Sequence, residues 1–344
     1  MQEFDLFDPG ERLNIPGNLA SARPVIDGIN ISFPGRIHVS PIDCNRFGFG
    51  QPGGGGVGFA VSLDNRLEIK IAPQTIVEGA PGQEPVMLHW ARLMLKILGY
   101  DRGLSLKMRL CPEMGQHSGL GSSVAVAAAC LSGINKLFGE PYTKIQLRDL
   151  LTLNFVEQCR GRVTRGLETG VGSHVLLNGG FCAVGDNTVL LSSSHELDAH
   201  SVLLVFPKVT RLHQDDPECL EMLKRSLRLD ESYRYIRAYR VIMDLWPALQ
   251  RKDLRGLGEV IWEFQFSGTH LSMFQGYDDG GVEIIRTMTL LRKSGAQIVG
   301  MSSVGPTIYA ISDNLDCVLQ AARTAGLHHS ITRIDPFGTA LVDE

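Results

Sequence analysis

The run His117-Ser118-Gly119-Leu120-Gly121-Ser122-Ser123 joins an extended segment to an Ala-rich stretch, and its residue types suit anion binding. At a helix N-terminus the first backbone N–H groups have no intrahelical acceptor, and the helix dipole favours negative charge there. Glycines admit close approach of an anion to the backbone, and serines add hydroxyl donors. In isolation the same residues equally describe a Gly-rich turn with Ser as the helix cap. His117 stands at the mouth of the loop, either as a donor or proton acceptor for a bound anion or as a simple loop cap.

Arg36, His38 and Ser40 alternate along a strand-like run and so share one face. A cation beside an imidazole suits a carboxylate or phosphate; the competing reading is a surface face paired with carboxylates. Arg160, Arg162 and Arg165 precede the stretch Thr169-Gly170-Val171-Gly172, either to bind a phosphate or as a solvated charged loop. His174 lies in the apolar run Val171 to Leu177 and reads as a core histidine. Trp262, Phe264 and Phe266 alternate with Glu263 and Gln265, a stripe that packs in a core or stacks on an aromatic ligand.

The elements that must position these groups come in runs. Strands are predicted at Arg36 to Ile42, Gly56 to Val61, Leu67 to Ile71 and Leu104 to Leu110, and helices at His89 to Leu98 and from Ser123 to Phe138. The second half reads as a strand over Val202 to Phe206, helices over Cys219 to Leu227, Ser232 to Leu249 and Gly281 to Lys293, and a strand over Thr307 to Ile311. Strands in runs, not strictly alternated with helices, favour an α+β class. Residues 1–33, interrupted by Pro9, Pro16 and Pro24, read as an irregular arm.

A chain of 344 residues with 44% hydrophobic residues exceeds the usual span of one core, so two domains sharing a cleft are expected. The formal net charge of -4, with no local run of Lys and Arg, excludes the basic field that nucleic-acid binders use. Seven scattered cysteines without a C-x-x-C pair read as buried thiols in a reducing compartment. No apolar run spans a bilayer, and Met1 to Gly10 has no signal-peptide pattern, so a cytoplasmic protein without membrane association is expected.

The central loop resembles the phosphate-cradling motif of the GHMP kinase superfamily, and further segments fall in that superfamily's order. Gly35-Arg36-Ile37-His38-Val39-Ser40-Pro41-Ile42-Asp43 with the glycine run Gly53 to Gly58 resembles its first motif. Thr169-Gly170-Val171-Gly172 with Gly179-Gly180-Phe181 resembles the turn and strand near its catalytic position. Met301-Ser302-Ser303-Val304-Gly305-Pro306-Thr307 resembles its C-terminal glycine motif. The resemblance implies a two-domain GHMP kinase-like fold: an arm at 1–33, an N-terminal domain at 34–197 bearing the anion loop, and a C-terminal domain at 198–344.

Within the superfamily, Arg-Ile-His-x-x-x-Ile-Asp, His-x-Gly-Leu-Gly-Ser and Ser-Ser-x-Gly-Pro-Thr resemble the β-ribofuranosylaminobenzene 5′-phosphate synthase family and related C-nucleoside synthases. That likeness implies a decarboxylating phosphoribosyltransferase. It joins phosphoribosyl diphosphate (PRPP) to an aromatic or heteroaromatic carboxylic acid, 4-aminobenzoate or a pyrazole carboxylate, by a carbon–carbon bond. Arg36, His38 and His117 are then the expected catalytic residues. Gly119, Leu120, Gly121, Ser122, Ser123, Gly170, Gly172, Ser302, Ser303, Gly305 and Thr307 are expected to bind PRPP or diphosphate. Magnesium is the expected cofactor, with Asp43 as candidate ligand, and a homodimer the expected assembly.

Mevalonate-type kinases place an Asp seven residues before the following Gly-Gly. Here that position is Gly172, which has no side chain to polarise a hydroxyl. Glu168 stands either as a substitute or as a solvated turn carboxylate. An ATP-dependent small-molecule kinase and a non-catalytic binding protein remain the competing classes.

Overall fold

In a computed structural model the described residues are 22–46, 52–100, 104–111, 119–159, 162–212 and 218–342. His117 and Arg160 lie outside them, and of Arg162 only the backbone is described.

The first half is built on β1 (Gly28–Pro41) and β2 (Gly56–Ala72), which pair antiparallel along most of their length. Two predicted strands, at 56–61 and 67–71, are thus one long strand, and β1 starts inside the segment read as an irregular arm. β2 also pairs with β4 (Ser105–Cys111) and, at its other end, with β7 (Phe181–Val184), while β3 (Ile76–Glu78) runs parallel to β4. With β8 (Leu190–Ser194) and β13 (Ala340–Leu341) these make a seven-stranded sheet, β13 returning from the end of the chain to pair with β1.

One face of this sheet is covered by helices α1 (Glu84–Ile97), α2 (Ser122–Leu137), α3 (Lys144–Leu153) and α4 (Val171–Asn178). α2 is buried nearly all round, and its run of alanines lets it lie close against β1. α3 begins at a reciprocal cap in which Thr143 Oγ1 accepts from Gln146 N while Gln146 Oε1 accepts from Thr143 N. α4 lies between the turn expected at Thr169 to Gly172, whose last two residues open the helix, and the strand expected from Gly179 to Phe181, which begins at Phe181 as β7. Between α3 and α4 the hairpin β5 (Val156–Cys159) and β6 (Arg162–Arg165) takes the place of the expected charged loop.

The second half holds an antiparallel four-stranded sheet in the order β10 (Ile298–Met301), β11 (Ile308–Ile311), β9 (Ser201–Val205), β12 (His329–Arg333). Around it lie α5 (Glu218–Arg240), a π turn over Val241–Leu245, α6 (Trp246–Gln250), α7 (Leu254–Gln265), α8 (Thr269–Phe274), α9 (Val282–Lys293) and α10 (Asp316–Thr324). Trp262, Phe264 and Phe266 are on or beside α7, so their alternation was not that of a strand. Phe264 is buried and Trp262 packs edge-on to Phe266 at 4.9 Å, which makes the stripe core.

The second face of the large sheet carries Ile37, Val39, Val57 and Phe59, which meet Leu204, Leu257, Ile261 and Tyr309 from the second half in one apolar core. Phe59 stacks on Phe181 at 5.5 Å and meets Tyr309 edge-on at 5.5 Å, so one aromatic side chain spans the joint. The fold is α+β, as expected. Among the described residues no helix is long and apolar enough to cross a membrane, and Cys44, Cys111, Cys130, Cys182 and Cys317 are free thiols.

Candidate active site

The alternation of β1 separates two jobs. Ile37 and Val39 face the joint between the halves, whereas Arg36, His38 and Ser40 face α2 and α4. Arg36 N donates to Leu120 O at 2.8 Å, which fastens the anion loop to this strand. Gly119 (φ 84°) and Gly121 (φ 69°) are left-handed, and a Cβ on Gly121 would lie 2.9 Å from Arg36 Nε. The Arg36 guanidinium therefore rests against the loop itself.

α2 starts at Ser122 with Gly121 as its cap and no side-chain capping bond. This removes the reading of Ser as the helix cap. The backbone donors of the first turn have no intrahelical acceptor, with Gly121 and Ser123 partly exposed and Ser122 buried beside Gln83 Nε2 at 3.4 Å.

The C-terminal motif locks onto this loop. Ser302 Oγ donates to Gly119 O at 2.6 Å and accepts from His38 N at 3.2 Å, while Ser303 N donates to His38 O at 2.9 Å. Ser302 and Thr307 are fully buried and Ser302 N donates to Thr307 O at 2.9 Å. These two residues brace the site, and Ser303 and Gly305, both at positive φ, shape its turn. Arg211 Nη2 donates to Val304 O (3.0 Å) and Gly305 O (2.9 Å), and Tyr277 Oη donates to Val304 O (2.7 Å). Neither Arg211 nor Tyr277 stood out in the sequence, because both act on backbone carbonyls and belong to no motif.

Gly170 (φ 88°) caps α4, and Gly172 lies in its first turn. A Cβ at Gly172 would sit 3.1 Å from Val124 Cγ1 and 3.5 Å from Glu168 Oε2. Glu168 is not a solvated carboxylate: it is 6% exposed, accepts from Gly170 N at 2.8 Å and is approached by the N–H groups of Gly172 and Ser173. Burial raises its pKa, opposed by Arg36 and by these donors. Burial likewise lowers Arg36, although Glu168 pulls the other way. Arg36 Nε and Nη1 are buried without an acceptor among the described residues.

His38 Nε2 lies 3.1 Å from Thr169 Oγ1. Its pKa is well below the usual imidazole value, first through burial and then through Arg36 and His270, so the ring is neutral at neutral pH. His174 is a core histidine as expected, 7% exposed, with burial lowering its pKa to about 4.

Asp43 does not fit a magnesium site. Its carboxylate faces Arg46 (3.4 Å) and Arg234 (3.8 Å) and accepts from Asn45 N. Among the described residues no group of three His, Cys, Asp or Glu side chains is placed to hold a metal.

Beyond Asp43, the end of β1 is held by a fully buried ion pair on α5. Arg237 Nη1 lies 2.6 Å from Asp230 Oδ1 and donates to Ile42 O at 3.1 Å, while Asp230 Oδ2 accepts from Cys44 N at 2.9 Å and Oδ1 from Thr269 Oγ1 at 2.7 Å. Their spacing of two helical turns was the only trace of this latch in the sequence.

Residues 87–168 match the family described as GHMP kinases N terminal domain. Two relatives, both β-ribofuranosylphenol 5′-phosphate synthases, are 25% identical to the chain. The one from Archaeoglobus fulgidus aligns over 83% of this chain and 88% of its own length. The one from Methanocaldococcus jannaschii aligns over 82% and 89%. The fold is similar to that of homoserine kinase from Cytophaga hutchinsonii (TM-score 0.60, 14% identity, 93% of this chain and 99% of that one). It is also similar to mevalonate diphosphate decarboxylase from Enterococcus faecalis (TM-score 0.64, 13% identity, 92% and 99%).

Proposed function

We propose that this chain, a GHMP-fold relative of the β-ribofuranosylphenol 5′-phosphate synthases, is a decarboxylating phosphoribosyltransferase that joins PRPP to a ring carbon of an aromatic or heteroaromatic carboxylic acid. The observation that carries the reading is an anion loop kept intact against Arg36 while Gly172, the position of a kinase's aspartate, has no carboxylate and its Cβ space is narrowed by Val124.

The reaction needs what these residues offer. The anomeric C–O bond to diphosphate breaks with its electron pair leaving on diphosphate, and the ring carbon that bears the carboxylate bonds to the anomeric carbon. The resulting cationic ring then loses carbon dioxide, whose bonding pair restores aromaticity. No proton leaves the attacking carbon, so no strong base is required there. The α2 N-terminus with Ser123 receives charge growing on the leaving group. Arg36 offers two buried N–H donors to an anionic group, and neutral His38 serves as a hydrogen-bonding group, not as a second cation.

The relatives' name carries a phenol, a ring made electron-rich by its hydroxyl. This supports an acceptor with a hydroxyl or amino group conjugated to the attacking carbon. 4-Hydroxybenzoate, 4-aminobenzoate and an amino-pyrazole carboxylate all meet that condition. Magnesium is proposed to be carried on the diphosphate oxygens, since Asp43 is held between two guanidinium groups.

The test is incubation with PRPP, magnesium and each carboxyl-labelled acid, measuring labelled carbon dioxide, diphosphate and ribosylated product in one reaction. Equal yields of all three with one acid are expected. A ribosylated product that keeps its carboxylate, an N-glycoside, or stoichiometric ADP formation from ATP and a small alcohol would each overturn the proposal.

A further inference from the structure

α5 turns charges inward and apolar side chains outward. On its inner side Asp230 and Arg237 are fully buried, and Val241 and Leu245 of the following π turn continue that side into the core. On the opposite side Leu229, Tyr235, Ile236, Tyr239, Ile242 and Met243 face solvent, with Tyr235, Tyr239 and Ile242 exposed to 70%, 61% and 60%. At about 100° per residue these six fall on one stripe along the helix. Within it Leu229, Ser232, Ile236, Tyr239 and Met243 recur at steps of three and four, the spacing of a seam between two helices. A surface helix packed only against its own chain carries the reverse pattern, apolar inside and polar outside.

The stripe does not stop at the helix. Leu191 on β8 is also exposed and lines one hollow with Tyr235, Ala238 and Ile242, so the apolar surface runs from the second half of the chain onto the first. The seven large side chains expose on the order of 700 Å² between them, on the scale of the 150–250 Å² that one aromatic side chain buries. Single apolar residues on a surface are ordinary, but the largest patch of a monomer is only about 300–600 Å². A standard interface takes about 800 Å² from each partner. The area is that of one side of a stable pairing.

Charge indicates what covers it. Arg240, at the edge, bonds Asp244 at 2.7 Å and Glu263 at 2.6 Å, and Arg234 Nη2 bonds Tyr235 Oη at 3.0 Å. The middle of the stripe holds no charged residue, so nothing there repels an identical face or selects a charged partner. Arg228 is exposed on the first turn of the stripe, at one end. Parallel pairing of two copies would set their Arg228 side chains together. Antiparallel pairing about a two-fold axis at Ile236 sets them about 24 Å apart along the helices, beyond the screening length of about 8 Å.

We propose that this face of α5 is a self-association surface, on which a second copy of the chain packs α5 against α5, antiparallel, about a two-fold axis near Ile236. Such a contact uses the same patch twice, which an apolar stripe without charge in its middle allows. Tyr235, Tyr239 and Ile242 form its centre and Leu191 its edge. The proposal is independent of the reaction proposed above.

Sedimentation equilibrium of the full chain over a concentration series tests it. The unaltered chain is expected to show the mass of two copies. Tyr239→Glu combined with Ile242→Glu is expected to raise the dissociation constant roughly thirtyfold or more, the loss when central interface anchors are replaced. Phe337→Glu, equally exposed but off the stripe, is expected to leave the pairing intact. Thermal melting checks that each variant folds. A second measurement leaves the face undisturbed: chains carrying Leu229→Cys and chains carrying Met243→Cys are mixed and treated with a short thiol cross-linker. Antiparallel pairing predicts links between the two kinds of chain, above the level of the unaltered protein, and none within either kind. A chain that stays single at every concentration overturns the proposal, as does a folded double variant that pairs as tightly as the parent. Separation caused by Phe337→Glu, or cross-links within one kind of chain, also overturns it.

Discussion

The hydroxyl of Ser302 donates to the carbonyl oxygen of Gly119 at 2.6 Å, across 183 positions of sequence, and Ser302 Oγ itself accepts from the backbone N–H of His38. One buried side chain thus ties the anion loop, the strand that carries Arg36 and His38, and the C-terminal glycine motif into a single unit. Ser302→Ala leaves a buried carbonyl and a buried N–H without that partner, at a cost of about 1–3 kcal/mol. Denaturant unfolding should show that loss, together with weaker diphosphate binding. A variant as stable and as tight as the parent would show that the bridge is dispensable.

Gly121→Ala should separate folding from function. A side chain at φ 69° costs roughly 1–2 kcal/mol, and the added methyl would meet Arg36 Nε at 2.9 Å. The expected result is a protein that folds with a modestly lowered melting temperature and loses most of its PRPP-dependent activity, because the guanidinium is displaced from the loop. Retained activity would place Arg36 outside the reaction.

The Asp230–Arg237 pair predicts a larger stability effect from a conservative change. Asp230→Asn removes the charge that compensates a guanidinium with no exposure. Breaking one side of a buried pair costs about 3–5 kcal/mol. Equilibrium denaturation should report a loss of that size. A change below about 1 kcal/mol would show that Pro41 O and Ile42 O suffice to hold Arg237.

Stability should also fall on mild acidification. Burial holds the imidazoles of His38, His89, His174 and His270 below their usual range, His89 and His174 at about 4 and His270 at about 3. In the unfolded chain each takes up a proton near pH 6.5, whereas the folded protein keeps each ring neutral. Protons therefore bind the unfolded state preferentially below that pH. Stability is full above about pH 6.5 and declines towards pH 4, at up to about 1.4 kcal/mol per pH unit for each ring. Glu168 acts in the opposite sense, because its raised pKa makes the folded state take up that proton first. Urea unfolding at about pH 7.5, 6.0 and 5.0 should give a falling free energy of unfolding; a flat profile would mean that these rings are protonated in the folded protein.

The sequence by itself determined the α+β class and the places of the glycine-rich segments. Those are carried by local signals: the alternation of Arg36, Ile37, His38 and Val39, the glycines at positions needing positive φ, and the alanines that let α2 pack closely. Local pattern gave no helix at α4 and read the Trp262 to Phe266 stripe by its alternation, because short apolar runs satisfy both periods. What only the tertiary structure decided is which polar groups are spent on the protein and which are left for a ligand. Asp43 went to Arg46 and Arg234, Ser302 to Gly119 and His38, and Glu168 left solvent for the backbone N–H of Gly170, while two Arg36 donors meet no acceptor among the described residues. Hydrogen bonding and desolvation depend on distance in space between residues far apart in the chain, and no spacing along the sequence encodes that distance.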